Sequence, residues 1–183
     1  MTTFADRPNR ALVVVDMQVG VVRDAYEVDA VTAAVKDLLR RARAADVPVV
    51  WVQDEDEARP PGSADWQLVE GLEPRPGEAL VGKRYGDAFA ETDLEDVLAA
   101  REVGTLVLVG AASEQCIRCT LHSAVLRGYD VDLVRGAHTT GDLTAYGMPE
   151  PSVVVGFMDL LAEHGMSWPG RRGRSVAVED LDL

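Results

Sequence analysis

Valine-rich runs alternate along this chain with stretches in which apolar residues recur every three or four positions. ALVVVDM (11–17) is a continuous apolar run, the pattern of a parallel strand buried on both faces. From Asp29 to Asp46 the spacing changes. Val31, Ala34, Val35, Leu38, Leu39 and Ala42 fall on one side and Arg40, Arg41 and Arg43 between them, which predicts an amphipathic helix. VPVVWVQ (47–53) predicts the next strand, and strand, helix, strand is a βαβ unit with a right-handed crossover. Thr92 followed by Glu95 reads as a capping box for a helix over 93–100. TLVLVGA (105–111) predicts a strand, 114–127 a helix closed by Gly128, and YDVDLVRG (129–136) a further strand. Pro149 to His164 reads as a helix and RSVAVED (174–180) as a last short strand.

The stretch 54–77 carries prolines and glycines but no periodicity. The βα rhythm resumes after it, so it reads as a loop or lid rather than a linker. The whole, 1–183, is read as one α/β domain: three layers, α-β-α, around a doubly wound, mostly parallel sheet of about six strands. Its core is placed at about 10–165. A tail, 170–183, either docks on the domain or reaches a neighbouring subunit. Function in such sheets sits at the carboxyl ends of the strands. Those ends are Asp16, Gln53 and Asp54, the turn at 110–116, and Gly136 to Thr139.

Composition narrows the partners. Among 183 residues, 31 are acidic and 18 are Lys or Arg, for a net charge of −13. Such a surface argues against a nucleic-acid or anionic-membrane partner. It is compatible with a cationic substrate, although bulk charge says more about solubility. The opening MTTFADRPNR has no apolar signal core, and no apolar run approaches the length of a membrane span. Two cysteines do not make a disulfide scaffold. The expectation is a cytoplasmic protein with free thiols.

Three stretches carry candidate chemistry. GEALVGKR (77–84) comes close to a phosphate-binding loop, but Arg84 stands where a Ser or Thr would hold magnesium, and EALV is strand-like. Lys83 is left either as a surface lysine or as an ammonium at the sheet's carboxyl edge. Asp16 ends the first strand and is either a turn cap or a partly desolvated carboxylate of raised pKa. GAASEQCIRCT (110–120) holds both cysteines. Ser113 reads as the N-cap of the following helix, which puts Cys116 in the first turn, where free amides and the helix dipole favour a thiolate. Cys119 lies a turn deeper, where a packing role is expected. A dithiol pair remains the competing reading of this spacing. The three histidines make no familiar zinc spacing with the cysteines.

VVVDMQ (13–18), VPVVWVQ (47–53), GKRYGDAF (82–89) with TDL (92–94), TLVLVGAASEQCIRCT (105–120) and RGYDVDLVRGAHT (127–139) occur in one order. Together they resemble the isochorismatase-like cysteine hydrolase superfamily, with its nicotinamidases, N-carbamoylsarcosine amidases, ureidoacrylate amidases and streptothricin hydrolases. The resemblance implies a Rossmann-like strand order and a catalytic triad of Asp16, Lys83 and Cys116. It also implies a non-proline cis peptide at Ala111–Ala112, which aims the amides of Ala112 and Cys116 at an oxyanion. Metal-dependent nicotinamidases carry an Asp-x-His…His cluster after the second strand. Here that place reads QDEDEARP, so neither a metal nor a cofactor is expected, and nicotinamide is disfavoured. The intact triad favours hydrolysis of a small amide, ureido or carbamoyl compound over vinyl-ether cleavage. Gln18, Trp66, Tyr85, Phe89 and His138 are the candidate substrate contacts, each also open to a packing or turn-capping role. The family resemblance implies a homodimer or homotetramer. A non-catalytic ligand-binding relative remains the other alternative.

Overall fold

Along β1 (Asn9–Val15) every residue from Ala11 onward is buried, and the two faces of the strand pack against different helices. Ala11, Val13 and Val15 belong to one core with α3 (Leu94–Ala99), α4 (Arg118–Arg127) and α5 (Pro151–Leu160). Leu12 and Val14 belong to the other, beneath α2 (Val28–Ala44). A strand covered on both sides has no reason to alternate, which is why its sequence is an unbroken apolar run. The computed structural model describes residues 2–183.

The remaining elements are α1 (Val19–Val22), β2 (Val49–Asp54), β3 (Ala79–Lys83), β4 (Val103–Ala111), β5 (Asp130–Thr139), β6 (Ser167–Trp168) and β7 (Arg171–Ala177). They form one seven-stranded sheet in the order β3-β2-β1-β4-β5-β7-β6. All neighbouring pairs are parallel except β6 with β7. The chain winds outward from β1 in one direction and from β4 in the other, so the crevice between them is the switch point where such sheets bind ligands.

The sheet has seven strands where about six were expected. β3 is a five-residue edge strand and β6 has two residues, too short to show as a pattern. The capping box is absent. Thr92 Oγ1 donates to the Ala88 carbonyl and accepts the Leu94 amide. Glu95 turns away to accept from Arg7 and from the hydroxyl of fully buried Tyr129, a donor that needs a partner more than the helix end does. Residues 171–177 of the tail are strand β7, paired with β5 of the same chain. Arg174 forks onto the buried carboxylate of Asp132 at 2.8 Å through two nitrogens. Arg41 of α2 donates to the carbonyls of Val178 and Leu181. Among the described residues, no helix is long and apolar enough to cross a membrane.

Candidate active site

Four parallel strands deliver the site at their carboxyl ends. Asp16 is the first residue after β1. It has a φ of 50°, a left-handed conformation uncommon outside glycine but more tolerated by Asp, and its amide stays bonded to the Val52 carbonyl of β2. Asp54 and Lys83 end β2 and β3 and are register partners. β4 runs past Val15 at Gly110, whose φ is 120°. A Cβ there would lie 1.9 Å from the Val15 carbonyl oxygen, so only glycine lets the two strands close up beside Asp16. The Ala111–Ala112 peptide bond that follows is cis.

The helix after this turn begins as one π-turn, Ser113–Ile117, before it becomes α4. Such wide turns recur at functional sites. Ala112, not Ser113, occupies the N-cap position. The Ser113 hydroxyl instead points inward to His138 Nδ1, 2.8 Å away. His138 Nε2 faces Asp159 Oδ1 at 3.4 Å, and Ser175 of β7 donates to the same oxygen. This buried chain of polar groups ties the start of the Cys116 turn to β5, α5 and β7.

Cys116, on the π-turn, comes to 3.3 Å from Lys83 Nζ. The same ammonium lies 2.7 Å from Asp16 Oδ2 and 3.3 Å from Asp54 Oδ1. Both Lys83 and Asp16 are about 1% exposed. Burial pushes the Asp16 carboxyl up to about 6, with Lys83 and Cys116 pulling back. Burial and the Asp16 charge push the Cys116 thiol up to about 12, and Lys83 offsets only part of this. The ammonium of Lys83 is opposed by burial, but Asp16, Cys116 and Asp54 outweigh it and raise its pKa. At neutral pH the resting site therefore holds a carboxylate, an ammonium and a thiol. The helix start was expected to favour a thiolate; here burial, and after it the Asp16 carboxylate, push the thiol the other way.

Asp16, Lys83 and Cys116 lie at the floor of a cavity of about 430 Å³, which also exposes Ala112 and Tyr85. That is a common size for a small-molecule site. The other residues expected to touch substrate lie elsewhere. Gln18 is fully buried and clamps the backbone of Asp54, giving Nε2 to its carbonyl and taking its amide on Oε1. Trp66 presents its carbonyl to Gln18 and Gln53 and lines a separate hollow. Phe89 packs on Tyr129 with ring centroids 5.8 Å apart. His138 is the buried link described above. Gln18 is claimed by backbone groups, Phe89 by the core and His138 by two polar side chains. Cys119 sits beside Gly86, where an added Cβ would be 3.5 Å from its sulfur. Both cysteines are free.

Sequence reasoning marked Asp54 only as a strand end and passed over Arg59 and Asp56. Asp54 holds Lys83 through one oxygen and Arg59 through the other, and Arg59 also binds Asp56. These residues line the cavity, as do Glu114 and Thr140. Asp54 carried the same signal as Asp16, a carboxylate at the end of a valine-rich run. Arg59 lies inside a charged run with no periodicity to mark it. Among the described residues, no group of three or more His, Cys, Asp or Glu is placed to hold a metal ion.

The isochorismatase domain model matches residues 10–148. A streptothricin hydrolase from Streptomyces noursei is 39% identical over 153 residues, 79% of this chain and 60% of that protein. The chain spans about half to three-fifths of the streptothricin hydrolases it matches. The ureidoacrylate amidohydrolase RutB of Agrobacterium fabrum is 30% identical over 72% of this chain and 76% of its own length. The crystal structure of an isochorismatase from Pseudomonas putida superposes with a TM-score of 0.84, covering 97% of this chain and 92% of that one at 24% identity, which is a likeness of fold.

Proposed function

The chain belongs to the isochorismatase family, and from that premise we propose that it is a cysteine amidohydrolase. It cleaves a C–N amide or carbamoyl bond of a small molecule through a thioester on Cys116. The observation that carries this reading is one ammonium, Lys83 Nζ, within 3.3 Å of both Asp16 and Cys116 beneath an open cavity. The amidohydrolase name of the RutB relatives supports the same bond class.

In this mechanism Asp16 is the general base. Its Oδ2 is held by Lys83, while Oδ1 is buried without a hydrogen-bond donor and is the oxygen left to take a proton. As substrate binds, the thiol proton moves to Asp16 and the sulfur attacks the carbonyl carbon. The C=O pair becomes an oxyanion, received by the amides of Ala112 and Cys116. A donor placed there is worth about 3 kcal/mol in comparable sites. Protonated Asp16 then gives its proton to the leaving nitrogen as the C–N bond breaks. Water, deprotonated by Asp16, attacks the thioester, and the proton returns to sulfur. Lys83 stays charged throughout, keeps Asp16 ionised in the resting state and steadies the developing thiolate. The route calls on no metal or cofactor.

Ammonia release from a panel of small amides, ureido acids and carbamoyl compounds tests this directly. Cys116→Ala abolishes turnover and covalent labelling, whereas Cys119→Ser keeps both. Equal loss from either substitution would instead support a dithiol.

A further inference from the structure

Five side-chain N or O atoms are buried without a hydrogen-bond partner among the described residues: Asp16 Oδ1, Arg59 Nε, Trp66 Nε1, Glu114 Oε2 and Thr140 Oγ1. All but Trp66 belong to residues that line the one cavity above Cys116. Buried polar atoms are satisfied in the great majority of cases, so unsatisfied ones gathered on a single hollow describe what enters it. Asp16 Oδ1 is accounted for by the proton transfer already described, and Arg59 Nε belongs to a guanidinium whose charge is already met by Asp54 and Asp56. Glu114 and Thr140 are not accounted for.

Glu114 stands two residues before the nucleophile. One of its oxygens accepts from Gln115 at 3.2 Å, and the other is the orphan. Thr140 is 1% exposed and follows β5 directly, with its hydroxyl unpartnered. Two of the cavity's lining cations are already committed, and the third, Arg84, is exposed. Lys83 is held by Asp16 and Asp54, and Arg59 by Asp54 and Asp56. Arg84 lies at the exposed rim, where Glu55, Glu57 and Glu91 line the adjoining hollows. An unpaired carboxylate oxygen and an unpaired hydroxyl on the wall of one cavity call for a ligand with several N–H donors and a positive charge.

We infer that this site takes a cationic substrate: a small amide bearing an ammonium or guanidinium group, which Glu114 Oε2 and Thr140 Oγ1 receive while Cys116 meets the carbonyl. The inference rests on the amidohydrolase reading for the second half of that sentence. The first half stands on the wall of the cavity. It disfavours amides and ureido compounds that carry a free carboxylate, which would meet Glu114.

Three primary amides of matched length separate the cases: γ-aminobutyramide (cationic), valeramide (neutral) and glutaramic acid (anionic). Their binding to the Cys116→Ala protein is measured by calorimetry, and their hydrolysis by the unaltered enzyme as ammonia release. The cationic amide binds at least about tenfold more tightly than the neutral one, as one charge-assisted hydrogen bond allows. The anionic amide binds least. Adding Glu114→Gln to Cys116→Ala lowers the cationic-to-neutral ratio by about the same factor, and Thr140→Val lowers it by less. Equal binding of the three, preference for the anion, no binding of any, or a cationic preference untouched by Glu114→Gln each overturns the inference. Cation-selective binding with no Cys116-dependent ammonia release from any probe would remove the amidohydrolase reading and leave the cation site. Cys116-dependent release from the neutral or anionic amide alone would do the reverse.

Discussion

Replacing Asp16 by asparagine removes a charge while keeping the shape, and the site geometry gives the two expected effects opposite signs. Lys83 Nζ is 2.7 Å from Asp16 Oδ2 and 3.3 Å from Cys116 Sγ, so the carboxylate and the sulfur are at most about 6 Å apart. At that separation and an effective dielectric near 20, two negative charges repel by about 3 kcal/mol, or about two pH units. The Cys116 thiol, pushed up to about 12 in the intact site by burial and by Asp16, therefore becomes more acidic in Asp16→Asn. The pull of Lys83 on the sulfur is then no longer offset by the Asp16 charge. At pH near 8 the thiolate fraction rises by about a hundredfold. Lower basicity makes each thiolate about tenfold less nucleophilic, so the net gain in alkylation rate is about tenfold. Hydrolysis moves the other way, because Asn accepts no proton, and falls by at least about a hundredfold. The assay is pseudo-first-order alkylation with iodoacetamide in a Cys119→Ser background, run beside ammonia release. Parallel loss of both would refute the reasoning, since it would mean that Asp16 creates a standing thiolate rather than suppressing one.

Two further outcomes follow from the same coordinates. Asp16 must be ionised to act as base, so kcat/KM rises with pH through about 6 and is flat through neutrality. An acid limb near the ordinary carboxyl value of 3.8 would contradict the desolvated placement. In stability terms the folded site holds its proton more tightly than the unfolded chain. Asp16 therefore costs about 3 kcal/mol as pH climbs from below 4 through about 6. Gly110→Ala puts a Cβ 1.9 Å from the Val15 carbonyl oxygen at a φ of 120°. Thermal denaturation should show a loss of several kcal/mol or no folded protein, and an unchanged melting temperature would mean that β1 and β4 do not close as described.

The four long parallel strands were legible because burial on both faces leaves an apolar run that few other structures produce. The helix α2 was legible because one face is wet. What escaped the sequence lay where a residue serves a role its type seldom takes. Lys83 is a lysine with no exposed side-chain surface, made tolerable by two carboxylates that arrive from other strands. Nothing local distinguishes it from a surface lysine. Ser113 fits the N-cap rule by type and position, yet His138, twenty-five residues on, takes its hydroxyl. Gln18 stands two residues after Asp16 in sequence, and the backbone of Asp54 and the Trp66 carbonyl absorb its amide. The π-turn has no sequence signature of its own. Membership of the family came from motif order, which needs none of these contacts. The Glu114 and Thr140 pair came only from finding which atoms the fold leaves unsatisfied.

The link from Ser113 through His138 and Asp159 to Ser175 also orders events during synthesis. The nucleophile turn leaves the ribosome more than fifty residues ahead of the serine on β7 that closes the chain of polar groups beneath it. Until β7 arrives, β5 presents an open parallel edge of the sort that recruits other strands. Domains of this kind gain their long-range pairings slowly. The growing polypeptide thus carries the Cys116 turn before the ground under it is laid, and slow synthesis between residues 140 and 170 would extend the interval in which β5 lacks its edge partner.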